Sequence, residues 1–246
     1  MGRLLSGVHT SWARCLPVYL LSAVLLLGSL TATAADKFLA PGFTSIPASS
    51  GLLLIPLDVE LFELGAGGVA EPKADWTAAA GKHMNTALEA FGARLGLKLS
   101  HLDEDEADSH AEALSLHAAV AQSISLHHGM AGTWALPTKA GQLDWSFGDA
   151  FADLQRATGA DYALFTWARD SYASGGRKAA MVALALIGVG VSGGIQIAYA
   201  TLVDLHTGRV VWFNQLARGT GDLREATPAA ETVETLLRGF PRVAPQ

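Results

Sequence analysis

The segment 161–215 constrains the fold more than any other part of this sequence. A strand rich in aromatic and apolar residues is predicted at 162–170, and an uncharged apolar run follows at 179–200. The end of this run enters a hairpin at 196–215, with its turn predicted at 205–208. Together these patterns predict a sheet core that carries an apolar insertion.

The predicted turn has a chemical explanation. The Asp204 side chain can accept hydrogen bonds from turn amides, and Gly208 can adopt the positive φ that short hairpin loops often require. We therefore assign a structural role in the turn to Asp204, Thr207 and Gly208.

The apolar run at 179–200 is long enough to cross a membrane by residue count alone. However, a span here would leave Arg177 and Lys178 on the outer side, and glycines from Gly188 onward separate a helix-favouring part from a strand-favouring part. A membrane span is therefore the least favoured of three interpretations, and the other two are as follows. The run either packs against the sheet of its own chain or forms a membrane-dipping segment or subunit interface.

The insertion at 171–194 supplies the candidate contact residues for the second interpretation. These residues share large apolar side chains with no charged residue among them. They are Met181, Leu184, Leu186, Ile187, Val189 and Val191.

The segment 1–34 has the order of a secretory signal peptide. Basic residues precede an uncharged apolar stretch at 16–30, and small residues then form a cleavage site near Ala34. The only cysteine, Cys15, would leave with this segment, so neither a lipid-bearing cysteine nor a disulfide is expected in the mature chain. We expect a periplasmic protein, with outer-membrane association as an open alternative.

The formal net charge is −6, and loss of Arg3 and Arg14 with the signal peptide would make it more negative. An acidic protein gains no affinity for nucleic acid or anionic lipid from its charge. The composition therefore argues against nucleic acid as a partner.

The rest of the chain predicts one αβ domain at 51–246, preceded by an extended leader at 35–50. A strand at 52–64 is interrupted by Pro56, which lacks a ladder donor and implies a bulge or strand end. A short edge strand is expected at 97–102. Helices are predicted at 76–95, 105–128, 147–158 and 228–238. This order indicates an α/β (α+β) fold, in which helices cover a mixed sheet.

Particular residues are predicted to mark the helix ends. Asp75 and Thr227 can cap helix N-termini, because their side-chain oxygens can accept hydrogen bonds from free backbone amides. Gly96, Gly129 and Gly159 are placed to end helices.

Two glycine motifs in the apolar run match the sequence patterns of enzyme signatures but lack the structural context that those signatures require. Residues 188–193 fit G-x-G-x-x-G, but a strand follows where a dinucleotide site needs a helix, so no cofactor is predicted. Residues 190–194 fit G-x-S-x-G, with Ser192 as a hydrolase nucleophile. Asp204 and His206 lie two residues apart and cannot both reach Ser192, so a serine hydrolase is a minor alternative.

Three histidines, His110, His117 and His128, fall on one face of the predicted second helix, where Asp103 or Glu106 could join them in a metal site. Their spacing is too long for one ion, because two ligands on one helix need a separation of three or four residues. We therefore expect titratable surface histidines and no metal site.

Four tryptophans can be interpreted in two ways: they either line a ligand groove or occupy positions in the core and at its rim. Because they fall on separate predicted elements, the sequence favours core and rim. They are Trp134, Trp145, Trp167 and Trp212.

Part of the central segment resembles a pattern of exported bacterial envelope proteins. Residues 159–162 spell Gly-Ala-Asp-Tyr at a helix end, 202–204 spell Leu-Val-Asp, and 207–212 run from Thr-Gly to Trp. The pattern is similar to the CsgG-like family and to periplasmic domains of the TolB amino-terminal type. The resemblance implies a periplasmic αβ body, although the cysteine that carries the lipid in many such proteins is missing.

The sequence and this resemblance predict an exported, non-enzymatic envelope protein that acts in assembly, secretion or surface-polymer export. It would act through self-association, and through contact with another envelope protein or with the membrane at 179–194. The alternative is a periplasmic ligand-binding or stress-responsive module. A pocket lined by Trp134, Trp145 or Trp167 would favour that alternative.

Overall fold

The computed structural model describes residues 38–130 and 132–245. The predicted signal peptide and its cleavage site lie outside these residues. The strands are β1 (Ser45–Ile46), β2 (Gly51–Leu54), β3 (Asp58–Leu64), β4 (Ala70–Pro72), β5 (Lys98–His101), β6 (Tyr162–Ala173), β7 (Gln196–Asp204), β8 (Val210–Arg218) and β9 (Arg242–Val243). The α-helices are α1 (Ala74–Leu95), α2 (Glu104–Asp108), α3 (Ala111–Ile124), α4 (Ala152–Thr158), α5 (Gly175–Ala185) and α6 (Ala226–Leu236). The predicted α+β class, a mixed sheet packed with helices, is confirmed.

The sheet is organised around β6. Strands β2 and β3 pair with one edge of β6 in succession, both in parallel, and β7 pairs antiparallel along the other edge. Strand β8 lies beyond β7, while β5 and β4 flank β2 and β3. The hairpin predicted at 196–215 is therefore β7 and β8, and the strand expected at 97–102 is β5, which pairs only with β2 among the described strands.

Pro56 separates β2 from β3, as its missing donor predicts. Leu54 lies opposite Leu164 and Asp58 opposite Trp167, so four steps on one strand match three on the other. The extra residue lets the chain pass Pro56 and resume pairing with the same neighbour, which is the effect of a bulge.

Both faces of the sheet are buried. Even-numbered residues of β6 such as Leu164 pack in the cluster that contains Met84 of α1 and Val233 of α6. Odd-numbered residues such as Phe165 pack in a second cluster with Ile124 of α3. The alternation follows from the two-residue period of a strand and explains why β6 is apolar at successive positions.

The leader expected at 35–50 is extended but packed, at least from Phe38 onward. Ile46 is fully buried, and β1 pairs in parallel with β9 near the C-terminus. Leu39 bridges to Trp212 on the outer edge of β8. Composition alone suggested a loose segment, yet its few apolar side chains find places in the core.

Several predicted helix boundaries were wrong, although the helices exist. Asp75 lies inside α1, whose N-cap is Lys73, and Thr227 lies inside α6, whose N-cap is Glu225. Neither N-cap residue makes a side-chain capping bond. The third predicted helix begins later, at Ala152.

The helix predicted at 105–128 is divided into α2, α3 and a π-helical turn at Ser125–Gly129. Asp103 caps α2, since its Oδ1 accepts from the Glu106 amide at 2.7 Å. Gly96 and Gly159 end α1 and α4 in the left-handed conformation, as predicted.

His117 is buried, which corrects the expectation of a surface histidine. Its ring stacks on Phe165 with 3.8 Å between ring centres, and Nε2 lacks a hydrogen-bond partner among the described residues. Burial lowers the pKa of His117 from 6.5 to about 3. His117 lies on the buried face of α3 together with Ala121 and Ile124. This position on the helix, and not the alignment with His110 and His128, explains its burial.

This burial predicts a specific loss of stability in acid. The unfolded chain binds a proton at His117 below pH 6.5 and the folded chain does not, so stability falls as the pH drops from there toward 3. Between pH 7 and pH 5 the loss should be about 2 kcal/mol from this residue. Urea unfolding of His117→Leu should lack that part of the pH dependence, whereas His101→Leu, at an exposed edge position, should keep it. Equal pH dependence in His117→Leu and the unaltered protein would refute the assignment.

The hairpin turn at Gly208 predicts a second stability effect. Gly208 has φ of 65°, and a Cβ there would lie 1.9 Å from the Gly148 carbonyl oxygen. Gly208→Ala should therefore lower the free energy of unfolding by about 3 kcal/mol, through backbone strain and overpacking. Gly159→Ala is a matched control, because φ is 66° and no atom is near, and it should cost about 1 kcal/mol. Similar losses in chemical denaturation would show that the close approach does not matter.

Candidate interaction surface

The insertion between β6 and β7 forms an arm that we call the apolar arm, residues 175–195. It consists of α5 and a returning loop, with a left-handed glycine, Gly188, after the helix. Helix, glycine break and strand thus follow in the predicted order. Within the described ranges, no helix has the length and apolarity needed to cross a membrane.

The apolar arm exposes large apolar side chains. None of the described residues of α5 is buried, and Leu186 and Ile187 are 83% and 74% exposed. The other large exposed side chains of the arm are Val182, Val189 and Ile195. Simple packing against the sheet of the same chain therefore does not account for these residues.

The six candidate contact residues divide into two groups. Leu186, Ile187 and Val189 are exposed, whereas Met181, Leu184 and Val191 are half-buried. Met181 of the half-buried group lies against the returning loop, with its methyl 3.3 Å from the Cβ position at Gly193.

Arg177 braces the arm. Its Nε and Nη2 donate to the carbonyl oxygen of Ser192 at 3.0 and 2.8 Å, and Nη1 reaches the carbonyl oxygen of Gly65 in the β3–β4 turn. The helix itself is capped by Ser174, whose Oγ accepts from the Arg177 amide. One cation thus ties α5, the returning loop and the neighbouring turn together.

The β3–β4 turn extends the exposed apolar surface. Val69 in this turn is 67% exposed, and Ala66 faces Gly176 at the start of α5, with 3.7 Å to the Cβ position. The arm and the turn therefore form one apolar end of the domain.

Among the described residues, the hydrogen bonds of the Ser192 hydroxyl are with Gly194 only. Its Oγ donates to the Gly194 carbonyl oxygen at 2.9 Å, and Asp204 lies at the other end of β7, about 25 Å along an extended strand. The G-x-S-x-G match is therefore a local loop feature, and the loop provides no general base for a hydrolase.

A buried carboxylate lies in β6 close to the point where the arm leaves the sheet, which we call the root of the arm. Asp170 is 3% exposed and accepts hydrogen bonds from the Tyr172 hydroxyl, Gln196 Nε2 at 2.7 Å and the Ser171 amide at 2.8 Å. Burial raises the pKa of the Asp170 carboxyl, and these hydrogen bonds lower it without reversing the direction. Burial and the neighbouring carboxylate also raise the pKa of Tyr172.

The network continues from Gln196 into the next elements. Gln196 Oε1 accepts from Arg218 Nε at 2.8 Å and from the Thr232 hydroxyl at 3.1 Å. The Tyr172 hydroxyl accepts from the Leu223 amide at 2.8 Å. The polar network thus links β6, β7, β8 and α6 at the point where the arm leaves the sheet.

The hairpin turn lies at the opposite end of β7. Asp204 Oδ1 accepts from the amides of His206 at 2.9 Å and Thr207 at 3.3 Å. His206 Nε2 lies 2.9 Å from Asp161 Oδ1, and Asp161 Oδ2 accepts from the Gly51 amide. Burial raises the pKa of Asp161, but the hydrogen bonds from His206 and Gly51 outweigh it, so the net direction is downward.

The remaining sequence candidates are not brought together. His117 is buried away from solvent, Asp103 caps α2, and within the described ranges no group of three or more His, Cys, Asp or Glu side chains could hold a metal ion. Trp212 is fully buried, whereas Trp134 is 60% exposed.

The other two tryptophans also occupy separate environments. Trp167 stacks on Tyr199 with 5.1 Å between ring centres, under the Arg169 guanidinium. Trp145 lines a pocket beside β8, at a place that its sequence position did not indicate.

Comparison with known proteins gives structural neighbours only. No family model and no curated protein matches the sequence. The PelC dodecamer from Paraburkholderia phytofirmans is similar at 12% identity and TM-score 0.38, covering 81% of this chain and 93% of that chain. The lipoprotein GNA1162 from Neisseria meningitidis matches at 13% identity and TM-score 0.31, covering 78% and 99%.

The LpoB C-terminal domain from Salmonella enterica matches at 16% identity and TM-score 0.27, covering 73% of this chain and 87% of that chain. All three TM-scores are below 0.5, so these neighbours support no functional conclusion. The resemblance to CsgG-like and TolB-type domains stays a prediction.

The network at the root of the arm predicts a large effect of removing its carboxylate. Asp170→Ala leaves the Tyr172 hydroxyl and the Gln196 side-chain amide without this acceptor, and should lower the free energy of unfolding by about 3 kcal/mol. Chemical denaturation at pH 7 measures the change. Asp153→Ala removes an exposed carboxylate that pairs with Arg156 and should change stability by no more than about 0.5 kcal/mol. Equal effects of the two substitutions would contradict a structural role for Asp170.

Proposed function

We propose that this protein is an exported, non-enzymatic component of the bacterial cell envelope that acts by self-association through the apolar arm. The N-terminal sequence order supports export to the periplasm. Assembly, secretion and surface-polymer export are the processes in which such a component would take part.

The observation that carries the proposal is the exposure of the arm. Leu186 and Ile187 point large apolar side chains into solvent, and no charged residue occurs between Ala179 and Val203 to keep the surface hydrated. Burial of apolar surface contributes about 25 cal/mol per Å². Burial of the arm against a second apolar surface would therefore stabilise the complex relative to the isolated chain.

The arm is also preformed. Arg177 fixes the returning loop, and the Ser171 side chain accepts from the Ile195 amide at 2.9 Å, which ties the C-terminal end of the arm to β6. A braced surface loses little conformational entropy when it binds, so more of the burial energy appears as affinity. This favours a docking element over a loose connection.

A second copy of the chain is the partner that we favour. Each copy carries the same surface, which is uncharged from Ala179 onward, so two copies can bury that part against each other without burying a charge, provided that the exposed Lys178 stays at the rim. Contact with another envelope protein or with the membrane surface would use the same residues of the apolar arm, with a different binding partner.

A ligand-binding periplasmic module is a second candidate function. The pocket lined by Trp145 is the specific observation that favours it. The two functions are compatible, because the pocket and the apolar arm use different residues.

Sedimentation of purified protein tests self-association. We expect the unaltered protein to form oligomers and the double variant Leu186→Ser with Ile187→Ser to sediment as a monomer, because the most exposed apolar side chains are lost. Leu116→Ser is the control, since Leu116 is 42% exposed on α3, outside the arm, and its removal should leave the oligomer intact.

Vesicle flotation distinguishes the remaining occupants. A monomer that floats with vesicles only when Leu186 and Ile187 are present would replace self-association with membrane contact. Monomeric, non-floating behaviour of both the unaltered protein and a variant that lacks 179–194 would contradict the proposed function.

A further inference from the structure

A cavity of about 420 Å³ lies beside the outer part of β8. Its walls come from β8, the π-helical turn at Ser125–Gly129 and the loop that contains Trp145. The volume is within the range of about 300 to 1,000 Å³ that small-molecule sites occupy. Neither the apolar arm nor the hairpin turn contributes to it.

The cavity walls contain both aromatic and polar groups. Phe38, Trp145 and Phe213 contribute aromatic surface, together with smaller apolar residues. His127, Lys139 and several side-chain amides, including that of Gln215, contribute polar groups. The described residues that line the cavity include no Asp or Glu, although the chain as a whole has a net charge of −6.

The walls are held by specific contacts. The Phe213 amide donates to the Phe38 carbonyl oxygen at 3.0 Å, and His127 Nδ1 lies 2.7 Å from the Trp134 carbonyl oxygen, so Nδ1 is the donor. The Gln215 side chain packs so closely on Gly129 that a Cβ there would lie 2.3 Å from Gln215 Cδ. The π-helical turn thus packs directly against β8, and single π-helical turns are frequent at functional sites.

Lys139 brings a positive charge to this cavity. Its Nζ lies 4.9 Å from the centre of the Trp145 ring and donates to the Asp144 carbonyl oxygen. The Asp144 carboxylate is 4.0 Å from Nζ, but its side chain is 67% exposed, so solvent screens the pairing. The ammonium group therefore keeps capacity for an anion.

We propose that this cavity binds a small amphiphilic anion, with an apolar or aromatic body against Trp145 and Phe213 and a carboxylate or phosphate head near Lys139. The aromatic walls supply the contact area, and the cation and amides fix the anionic end. The described lining contains no Asp or Glu, and the carboxylate near Lys139, that of Asp144, is 67% exposed, so solvent screens its repulsion of such a head. This inference rests on the second candidate function above, to which it gives a ligand class, and does not depend on self-association.

Two matched probes test the proposal by calorimetry. They are 2-naphthoate and its neutral amide, 2-naphthamide, which share the aromatic body and differ in the charge of the head. We expect 2-naphthoate to bind to the purified protein more tightly than the amide. Lys139→Gln should weaken 2-naphthoate binding by about tenfold and change amide binding little, because only the anion loses a charge-assisted partner.

A second variant establishes where the probes bind. Ala217 lines the cavity from an exposed position on β8, so Ala217→Phe should fill the cavity and abolish binding of both probes without disturbing the core. The double variant Leu186→Ser with Ile187→Ser should bind both probes normally, since the arm lies outside the cavity. Sedimentation of Ala217→Phe should equal that of the unaltered protein.

The outcomes that overturn the proposal are distinct. Absence of saturable binding up to about 1 mM 2-naphthoate would overturn it, since that limit corresponds to only weak affinity. Equal affinities for both probes that Lys139→Gln does not change would overturn the anionic class. Binding that survives Ala217→Phe but is lost in the arm variant would place the probes on the apolar arm.

Discussion

The fold depends on the pairing of β6 along both of its edges. One edge carries β2 and β3 in turn, the other carries β7, and both faces of β6 are covered by apolar clusters. Each neighbour is held by this strand, so its long apolar sequence is required by the architecture. Adjacent antiparallel strands such as β6 and β7 can be joined by a two-residue turn. The sheet therefore does not need the apolar arm, and the arm is available for another purpose.

Local signals in the sequence predicted local structure well. The β7–β8 hairpin, the interruption at Pro56 and the helix ends at Gly96 and Gly159 all depend on residues close together in the chain. Side-chain capping was harder to predict, because backbone geometry at a helix start does not require the available Asp or Thr to be the cap. Asp75 and Thr227 show this, each lying inside a helix.

Features that join distant segments could not be found in the sequence. The burial of His117 depends on which face of α3 meets Phe165 of β6, and periodicity alone favoured the histidine stripe. The cavity beside β8 combines residues near Phe38, His127, Trp145 and Gln215, which no sequence motif connects. In contrast, the apolar arm could be recognised in the sequence as an uncharged run. Whether that run was a docking surface or part of the core could be decided only from its exposure in the structure.

The outer edge of β8 is covered by the segment around Leu39, among the earliest residues of the described chain, whereas β8 is among the last strands to be synthesised. An uncovered sheet edge is a template for pairing with other chains. Contacts that join distant parts of a sequence form slowly, because a long loop must close first. The interval between emergence of β8 and docking of the N-terminal segment therefore sets how long a newly made chain is open to aggregation.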